Sequence, residues 1–95
     1  MKKIIMTENA PKALGPYSQA IMVGNTLYVS GQIPFVPETM TLVSEDIQAQ
    51  TRQSIENIKA IVNEAGGELS DIVKVNVFVK SIEDVNKINV VYVEY

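Results

Sequence analysis

The sequence predicts an α+β domain, and three observations predict it. Short apolar runs in the first third of the chain are separated by glycine and proline, as strands joined by turns are. Residues 46–65 repeat apolar positions at helical spacing. Residues 72–80 then alternate apolar and polar side chains before a second helical segment. With 95 residues, 46% of them hydrophobic, the chain is long enough for a single domain, residues 1–95.

The first predicted strands are short. Residues 4–6 form an apolar run suited to an edge strand, and residues 8–16 form an irregular segment that contains two prolines and a glycine. Strands follow over residues 18–23 and 26–30. The Gly24-Asn25 pair between them favours a tight hairpin, because glycine supplies the positive φ of a primed turn.

A loop opened by Pro34 and Pro37 leads to the first predicted helix, residues 46–65. Its apolar positions are spaced by three or four residues and share one face: Ile47, Thr51, Ile55, Ile58, Val62 and Ala65. Asp46 suits the positive N-terminal end, and Gly66 supplies a stop. This helix is therefore expected to bury one side.

Residues 72–80 place four valines on one side, which predicts a strand with one buried face: Val73, Val75, Val77 and Val79. Because strand–helix–strand crossovers are right-handed, the strands before and after the first helix are expected to be parallel in one sheet. Ser81 and Asp84 form a capping-box signature for a second helix. The predicted inward side chains of that helix are Ile82, Val85, Ile88, Tyr92 and Tyr95, with Asn89 beside them.

Composition excludes several classes of function. The net charge is −3 and the lysines are scattered, so the chain lacks the basic stripe of a nucleic-acid binder. It has no cysteine and no histidine, which argues against disulfides, thiol catalysis and the commonest metal ligands. No apolar run approaches the roughly 18 residues of a membrane span, and no signal-peptide core is present. The expected protein is soluble, cytoplasmic and free of metal.

Two motifs place small, hydroxyl and turn-forming residues at predicted strand ends, where backbone and side chain can meet a ligand. They are Gly15-Pro16-Tyr17-Ser18-Gln19-Ala20 and Val29-Ser30-Gly31-Gln32-Ile33-Pro34. Further segments follow the same order without obvious gaps: residues 7–11, 50–53, 56–61, 71–75 and 91–95. Together they resemble the RidA/YjgF family of reactive intermediate (imine) deaminases, formerly called endoribonuclease L-PSP.

The resemblance implies a chorismate-mutase-like (YjgF-like) fold, in which a mixed sheet has two helices packed on one face. It also implies a homotrimer with three sites in the clefts between subunits. The implied reaction is hydrolysis of 2-iminobutanoate, 2-iminopropanoate or their enamines to 2-keto acids and ammonia, without a cofactor. The expected partner is therefore a small imino or keto acid, with no nucleic acid and no membrane.

The same resemblance implies the site residues. Tyr17 and Ser30 are the implied catalytic residues, with hydroxyl groups near the substrate or water, and Gly31, Ile33 and Asn89 are the implied substrate-binding residues. Several have a plainer alternative. Tyr17 could cover a sheet edge, Gly31 could form a bulge, Ile33 could pack in the loop, and Asn89 could cap a neighbouring backbone group.

The resemblance places the family's carboxylate-binding arginine and its water-activating glutamate on strands beyond Tyr95. The domain is therefore expected to be C-terminally incomplete, and a chain ending there is expected to lack deaminase activity. Arg52, the sole arginine, is expected to pair with Glu56 one turn away and not to replace that arginine. Two other functions stay open: a non-catalytic regulatory protein that binds small carboxylates, and an endoribonuclease or translation inhibitor, against which the acidic composition argues.

Overall fold

The structure, a computed structural model, describes residues 2–95. Three short strands form an antiparallel sheet in the order β1–β2–β3: Lys2–Ile5, Ala20–Val23 and Thr26–Val29. The predicted hairpin is confirmed, because Val23 pairs with Thr26 and Gly24 has a φ of +58°. The first strand lies at the sheet edge as predicted.

The core lies between this sheet and the first helix. Side chains alternate along each strand, so Ile5, Ala20 and Val29 share one row on the inner face. Ile61 from the helix is fully buried in the same cluster, together with Ala10. Burying an isoleucine side chain is worth roughly 1.5–3 kcal/mol, so Ile5 and Ile61 contribute strongly to holding the helix on the sheet.

The predicted first helix is confirmed as α1, Ile47–Glu64. It begins at Asp46, whose Oδ2 accepts a hydrogen bond from the backbone N–H of Ala49 at 2.9 Å. That contact satisfies one of the N–H groups that every helix start leaves free. The helix ends at Ala65, and Gly66 then adopts a φ of +94°, which turns the chain away.

A second, two-stranded sheet lies within the predicted loop. It pairs β4, Phe35–Val36, with β5, Thr41–Leu42. The sequence pattern did not predict this pair, because strands of two residues are too short to show alternation. The backbone N–H of Val43 donates to the carbonyl of Pro34 at 2.9 Å and closes the hairpin. Its turn contains Met40 at a φ of +56°, an uncommon conformation for a residue with a side chain.

The strand predicted over residues 72–80 is wrong for the described structure. These residues have no regular secondary structure, and residues 73–80 make no hydrogen bond with another described residue. The valines expected to be buried are exposed, up to 99% for Val73. A β-strand is defined by its hydrogen bonds to a neighbouring strand, and an alternating sequence does not by itself provide that neighbour. The predicted parallel strand after the first helix is likewise not formed, and every strand pairing within residues 2–95 is antiparallel.

The second helix is confirmed as α2, Val85–Tyr92, preceded by a 3-10 turn over Ile82–Asp84. Ser81 caps this turn by accepting from the backbone N–H of Glu83 at 3.4 Å. The predicted inward face is partly wrong. Ile88 is buried, but Ile82 is 85% exposed, and the buried Val91 was missed.

The first helix is covered on two sides, by the sheets and by α2. Its most buried residues are accordingly Asn57, Ile61 and Val62, and only Val62 belongs to the predicted stripe. Two helices and antiparallel sheets confirm the predicted α+β class. No helix within residues 2–95 is long and apolar enough to cross a membrane.

Candidate functional site

Four of the five predicted site residues lie around the end of the β2–β3 hairpin opposite its turn: Tyr17, Ser30, Gly31 and Ile33. Ser30 follows β3, and its backbone N–H donates to the carbonyl of Gln19 at 2.9 Å. This contact continues the β2–β3 pairing by one residue beyond the ends of the two strands. Gly31 and Ile33 then lie, exposed, in the loop that leads to β4.

The hydroxyl of Ser30 holds the two strand ends together. Its Oγ donates to the carbonyl of Ser18 at 2.6 Å. The carbonyl of Ser30 in turn accepts from Nε2 of Gln32 at 3.2 Å. Because its proton is engaged and no described basic group contacts it, the hydroxyl is suited to accepting a hydrogen bond from a ligand and not to nucleophilic attack.

Tyr17 presents its side chain to solvent from a fixed backbone. Its N–H donates to the carbonyl of Gly15 at 2.9 Å, which closes a tight turn. The side chain is 51% exposed, and its hydroxyl accepts a long hydrogen bond of 3.4 Å from the N–H of Leu14. The hydroxyl proton donates to no described residue, so it is available to a ligand or to water.

Side chains of α1 fix the loop that follows β3. The Oγ of Ser54 donates to the carbonyl of Gln32 at 3.0 Å. The Nδ2 of Asn57 donates to the carbonyls of Ile33 at 3.3 Å and Phe35 at 3.0 Å. The helix therefore sets the position of the exposed loop through three hydrogen bonds to its backbone.

Asn57 was missed by sequence reasoning, although it is only 1% exposed. Its Oδ1 accepts from Nε2 of Gln53 at 2.9 Å, so both polar atoms of the buried amide are paired. Polar residues on a helix normally indicate its solvent face, which hid this role. The predicted stripe gave no signal for it, because the fully buried Ile61, one helical turn further on, also lies outside that stripe.

A second buried amide fixes the segment before Tyr17. Gln19 is 3% exposed, and its Oε1 accepts from the N–H of Thr7 at 2.7 Å. Its Nε2 lies within hydrogen-bonding distance of the carbonyls of Thr7 at 3.0 Å, Ala10 at 3.3 Å and Pro11 at 2.8 Å, which share its two protons. The side chain thereby satisfies backbone groups of a segment that has no strand partner of its own.

The loop after Ser30 offers backbone donors. The N–H groups of Gly31, Gln32 and Ile33 donate to no described residue. Successive free N–H groups can bind a carboxylate or a developing oxyanion. The Tyr17 hydroxyl is a further neutral donor near the same end of the hairpin. Within residues 2–95 no cluster of acidic side chains could hold a metal ion.

Asn89 lies apart from the other predicted site residues. It lines an apolar cleft of about 350 Å³ with Val77, Val79, Val85, Ile88 and Tyr92. A more polar cleft of about 620 Å³ borders α1 and the β4 turn, and none of the five predicted residues lines it. Within the described chain, the structure therefore brings together four of the five.

The predicted pair between Arg52 and Glu56 is wrong. The Nη2 of Arg52 donates to both carboxylate oxygens of Glu94, at 2.9 and 2.8 Å. Glu56 instead accepts from the hydroxyl of Tyr95 at 2.7 Å. The hydrogen bonds and charge of Glu94 raise the pKa of Arg52 above its ordinary value. Arg52 therefore joins α1 to the residues that follow α2.

Comparison with known proteins identifies the family of this chain. Residues 7–95 match the family model Endoribonuclease L-PSP. A RutC family protein of Pyrococcus abyssi is 57% identical over 94 residues, which are 99% of this chain and 74% of that protein. The 2-iminobutanoate/2-iminopropanoate deaminase of Salmonella typhimurium is 52% identical over 92 residues, which are 97% of this chain and 71% of that protein.

A solved structure agrees with this match. YyfA from Yersinia pestis, a protein of the conserved Rid family, matches with a TM-score of 0.97 at 46% identity, over 100% of this chain and 75% of that one. The fold is therefore the α+β fold of RidA/YjgF proteins, and the predicted resemblance is confirmed. The chain belongs to the endoribonuclease L-PSP (RidA/YjgF) family and spans about three quarters of the length of the relatives it matches.

Proposed function

We propose that this protein is a cytoplasmic deaminase that hydrolyses 2-imino acids to 2-keto acids and ammonia, and that the residues around the hairpin end bind its substrate. The observation that carries the proposal is its 52% identity, across 97% of its length, to the protein named 2-iminobutanoate/2-iminopropanoate deaminase. The geometry supports it, because exposed neutral donors surround the hairpin end at Tyr17 and Gly31.

The reaction assigns a role to each group. Water adds to C2 of the C=N bond, the nitrogen takes a proton and leaves as ammonia, and C2 becomes a ketone. The free hydroxyl proton of Tyr17 would bond to the imine nitrogen or steer the water. The N–H groups of Gly31 and Ile33 would hold substrate oxygens, Ser30 would accept a hydrogen bond, and the Ile33 side chain would cover the apolar group. Preorganised donors are most effective where charge develops.

We further propose that the site is completed in a homotrimer. The outer face of the three-stranded sheet exposes apolar side chains, including Ile4 at 59%, Val23 at 45% and Tyr28 at 63%. Ile21 joins them, since it pairs with both Ile4 and Tyr28. A contiguous apolar patch of this kind favours burial against a partner. A second copy over this face would create clefts between subunits.

The test follows 2-keto acid release from 2-aminoacrylate generated in solution by a serine dehydratase. Two proteins are compared: the 95-residue chain, and the same chain extended after Tyr95 by the unmatched residues of the P. abyssi relative. We expect the extended form to release keto acid faster than buffer alone, and the rate of the 95-residue chain then shows how much of that activity the extension supplies. In the extended form, Tyr17→Phe should slow release about 10- to 100-fold, as loss of one hydrogen bond to a charged group would.

Tyr92→Phe is the matched control, because it also removes a partly exposed tyrosine hydroxyl, lies on α2 away from the hairpin end and keeps the ring. A folded, trimeric extended chain that releases keto acid no faster than buffer would refute the deaminase proposal. Calorimetric binding of 2-ketobutyrate without turnover would instead favour the regulatory protein that binds small carboxylates. Light scattering reports the assembly, for which three chain masses are expected.

A further inference from the structure

Two peptide groups in the loop after β3 are held by their carbonyls, while their N–H groups stay free. The carbonyl of Ser30 accepts from Nε2 of Gln32 at 3.2 Å, and the carbonyl of Gln32 accepts from Oγ of Ser54 at 3.0 Å. The N–H groups that share these two peptide bonds belong to Gly31 and Ile33, and neither donates to a described residue. In both peptides, therefore, the acceptor is occupied and the donor is available.

The direction of the free Ile33 N–H follows from the carbonyl in the same peptide. The bond between Gln32 and Ile33 is trans, and in a planar trans peptide the C=O and the N–H point in opposite directions. Because Ser54 on α1 holds the C=O, the N–H of Ile33 points away from the Ser54 hydroxyl. Gly31 and Ile33 are both exposed, so a ligand can reach this part of the loop.

The backbone that follows Ile33 is held independently of Ser54. The carbonyl of Ile33 accepts from the N–H of Phe35 at 2.7 Å and from Nδ2 of Asn57 at 3.3 Å. Loss of the Ser54 hydroxyl would therefore leave the loop attached to α1 and free only the peptide before Ile33 to rotate. A rotated peptide places its C=O where its N–H was, and a carbonyl oxygen repels a carboxylate.

We propose that Ser54 is a positioning residue for substrate binding: through the Gln32 carbonyl it orients the Ile33 N–H toward the carboxylate of the 2-imino or 2-keto acid. This inference rests on the proposed function for the identity of the ligand. Ser54 itself is expected to make no contact with the substrate, because its hydroxyl proton is already donated to the loop. A residue that only tied the helix to the loop would change stability without changing how the Ile33 N–H meets the ligand.

The test follows the backbone amide of Ile33 by NMR while 2-ketobutyrate is added to the extended form of the chain. This ligand carries the carboxylate and requires no turnover. We expect the Ile33 amide resonance to shift as the ligand binds. Ser54→Ala should reduce that shift and weaken binding about 3- to 10-fold, which is less than the complete loss of a hydrogen bond to a charged group. Ser54→Thr keeps the hydroxyl and should restore both the shift and the affinity.

Thr51→Val is the matched control, because it also removes a hydroxyl from α1, one that donates to the carbonyl of Ile47 at 2.8 Å and does not contact the loop. It should bind 2-ketobutyrate as the unsubstituted form does. Three results would overturn the proposal: an Ile33 amide that does not respond to excess ligand in the unsubstituted form, equal affinities for Ser54→Ala and the unsubstituted form, or equal weakening by Ser54→Ala and Thr51→Val.

The release of keto acid decides the deaminase proposal separately. An extended form that hydrolyses the imine but gives any of these three results keeps the deaminase function and loses the role of Ser54. An extended form without turnover, in which Ser54→Ala still weakens binding at the Ile33 amide, loses the deaminase function and keeps Ser54 as a positioning residue for carboxylate binding.

Discussion

Replacement of Gln19 by methionine removes four hydrogen-bond contacts, three of which share the two protons of Nε2, while nearly preserving the length of the side chain. The N–H and C=O of Thr7 both lose their partner, and Thr7 is only 8% exposed. A buried backbone group left without a partner costs about 1–3 kcal/mol. The carbonyls of Ala10 and Pro11 lose theirs as well, although water can reach the site at Pro11 more easily, since that contact is only partly buried. We expect Gln19→Met to lower the free energy of unfolding by about 2–4 kcal/mol.

Urea denaturation followed by circular dichroism measures this loss. With a slope of about 1.5 kcal/mol/M, a loss of 3 kcal/mol lowers the midpoint by about 2 M. Gln48→Met is the matched control, because it removes a single exposed 3.3 Å hydrogen bond to the carbonyl of Lys87 and should cost under about 1 kcal/mol. Equal midpoints for the two variants, or a shift below about 0.5 M for Gln19→Met, would show that the buried amide does not hold residues 7–11 in place.

Two further predictions concern Met40 and Tyr95. Met40→Gly should be more stable than Met40→Ala by about 1 kcal/mol in urea, because both lose the side chain but only glycine is unstrained at a φ of +56°; equal stabilities would contradict this. Burial, and then the hydrogen bond to Glu56, raises the pKa of Tyr95 above its ordinary value of 10.0. Protonated Tyr95 therefore makes its full contribution to the stability of the folded chain below pH 10.0. That contribution declines as the pH rises through the pKa of Tyr95 in the folded state. The native chain and Tyr95→Phe are titrated by absorbance at 295 nm, and the difference between the two curves should show one group titrating above pH 10.0. A midpoint at or below pH 10.0 would contradict the assignment.

The first helix and the hairpin were predictable because their signals are local. Asp46 and Gly66 mark the ends of α1 within one turn of where the structure places them, and Gly24-Asn25 marks the hairpin turn. Each signal acts through bonds between residues that are close in sequence. For the same reason the sequence predicts these elements well.

Residues 72–80 show the opposite case. The alternation of Val73 and its neighbours is compatible with a strand, but pairing requires a partner distant in sequence. The described chain offers none that reaches them, so the segment stays unpaired. Periodicity reports which side chains can be buried together, and not whether a neighbour is present to bury them.

The candidate site was predictable only in outline. The motifs placed Tyr17, Ser30 and Gly31 at strand ends, and in the structure all three lie around the end of the β2–β3 hairpin opposite its turn. The side chains that hold this end together, Gln19 and Asn57, were missed because both are polar and polarity normally indicates exposure. Both side chains are buried because they pair with backbone groups of other segments. The sequence around Gln19 or Asn57 alone does not show that those groups need a partner.

The anchoring of the loop after β3 has a consequence for the order in which the chain is made. Ser54 and Asn57 hold the backbone of residues 32–35 from 22 to 24 positions downstream. At about 5–20 residues per second, a ribosome completes this loop roughly one to five seconds before its anchors exist. Gln19, in contrast, closes onto Thr7 and Pro11, which have already been synthesised. In the nascent chain, the segment that leads to Tyr17 can therefore fold before the loop that carries Gly31 is anchored.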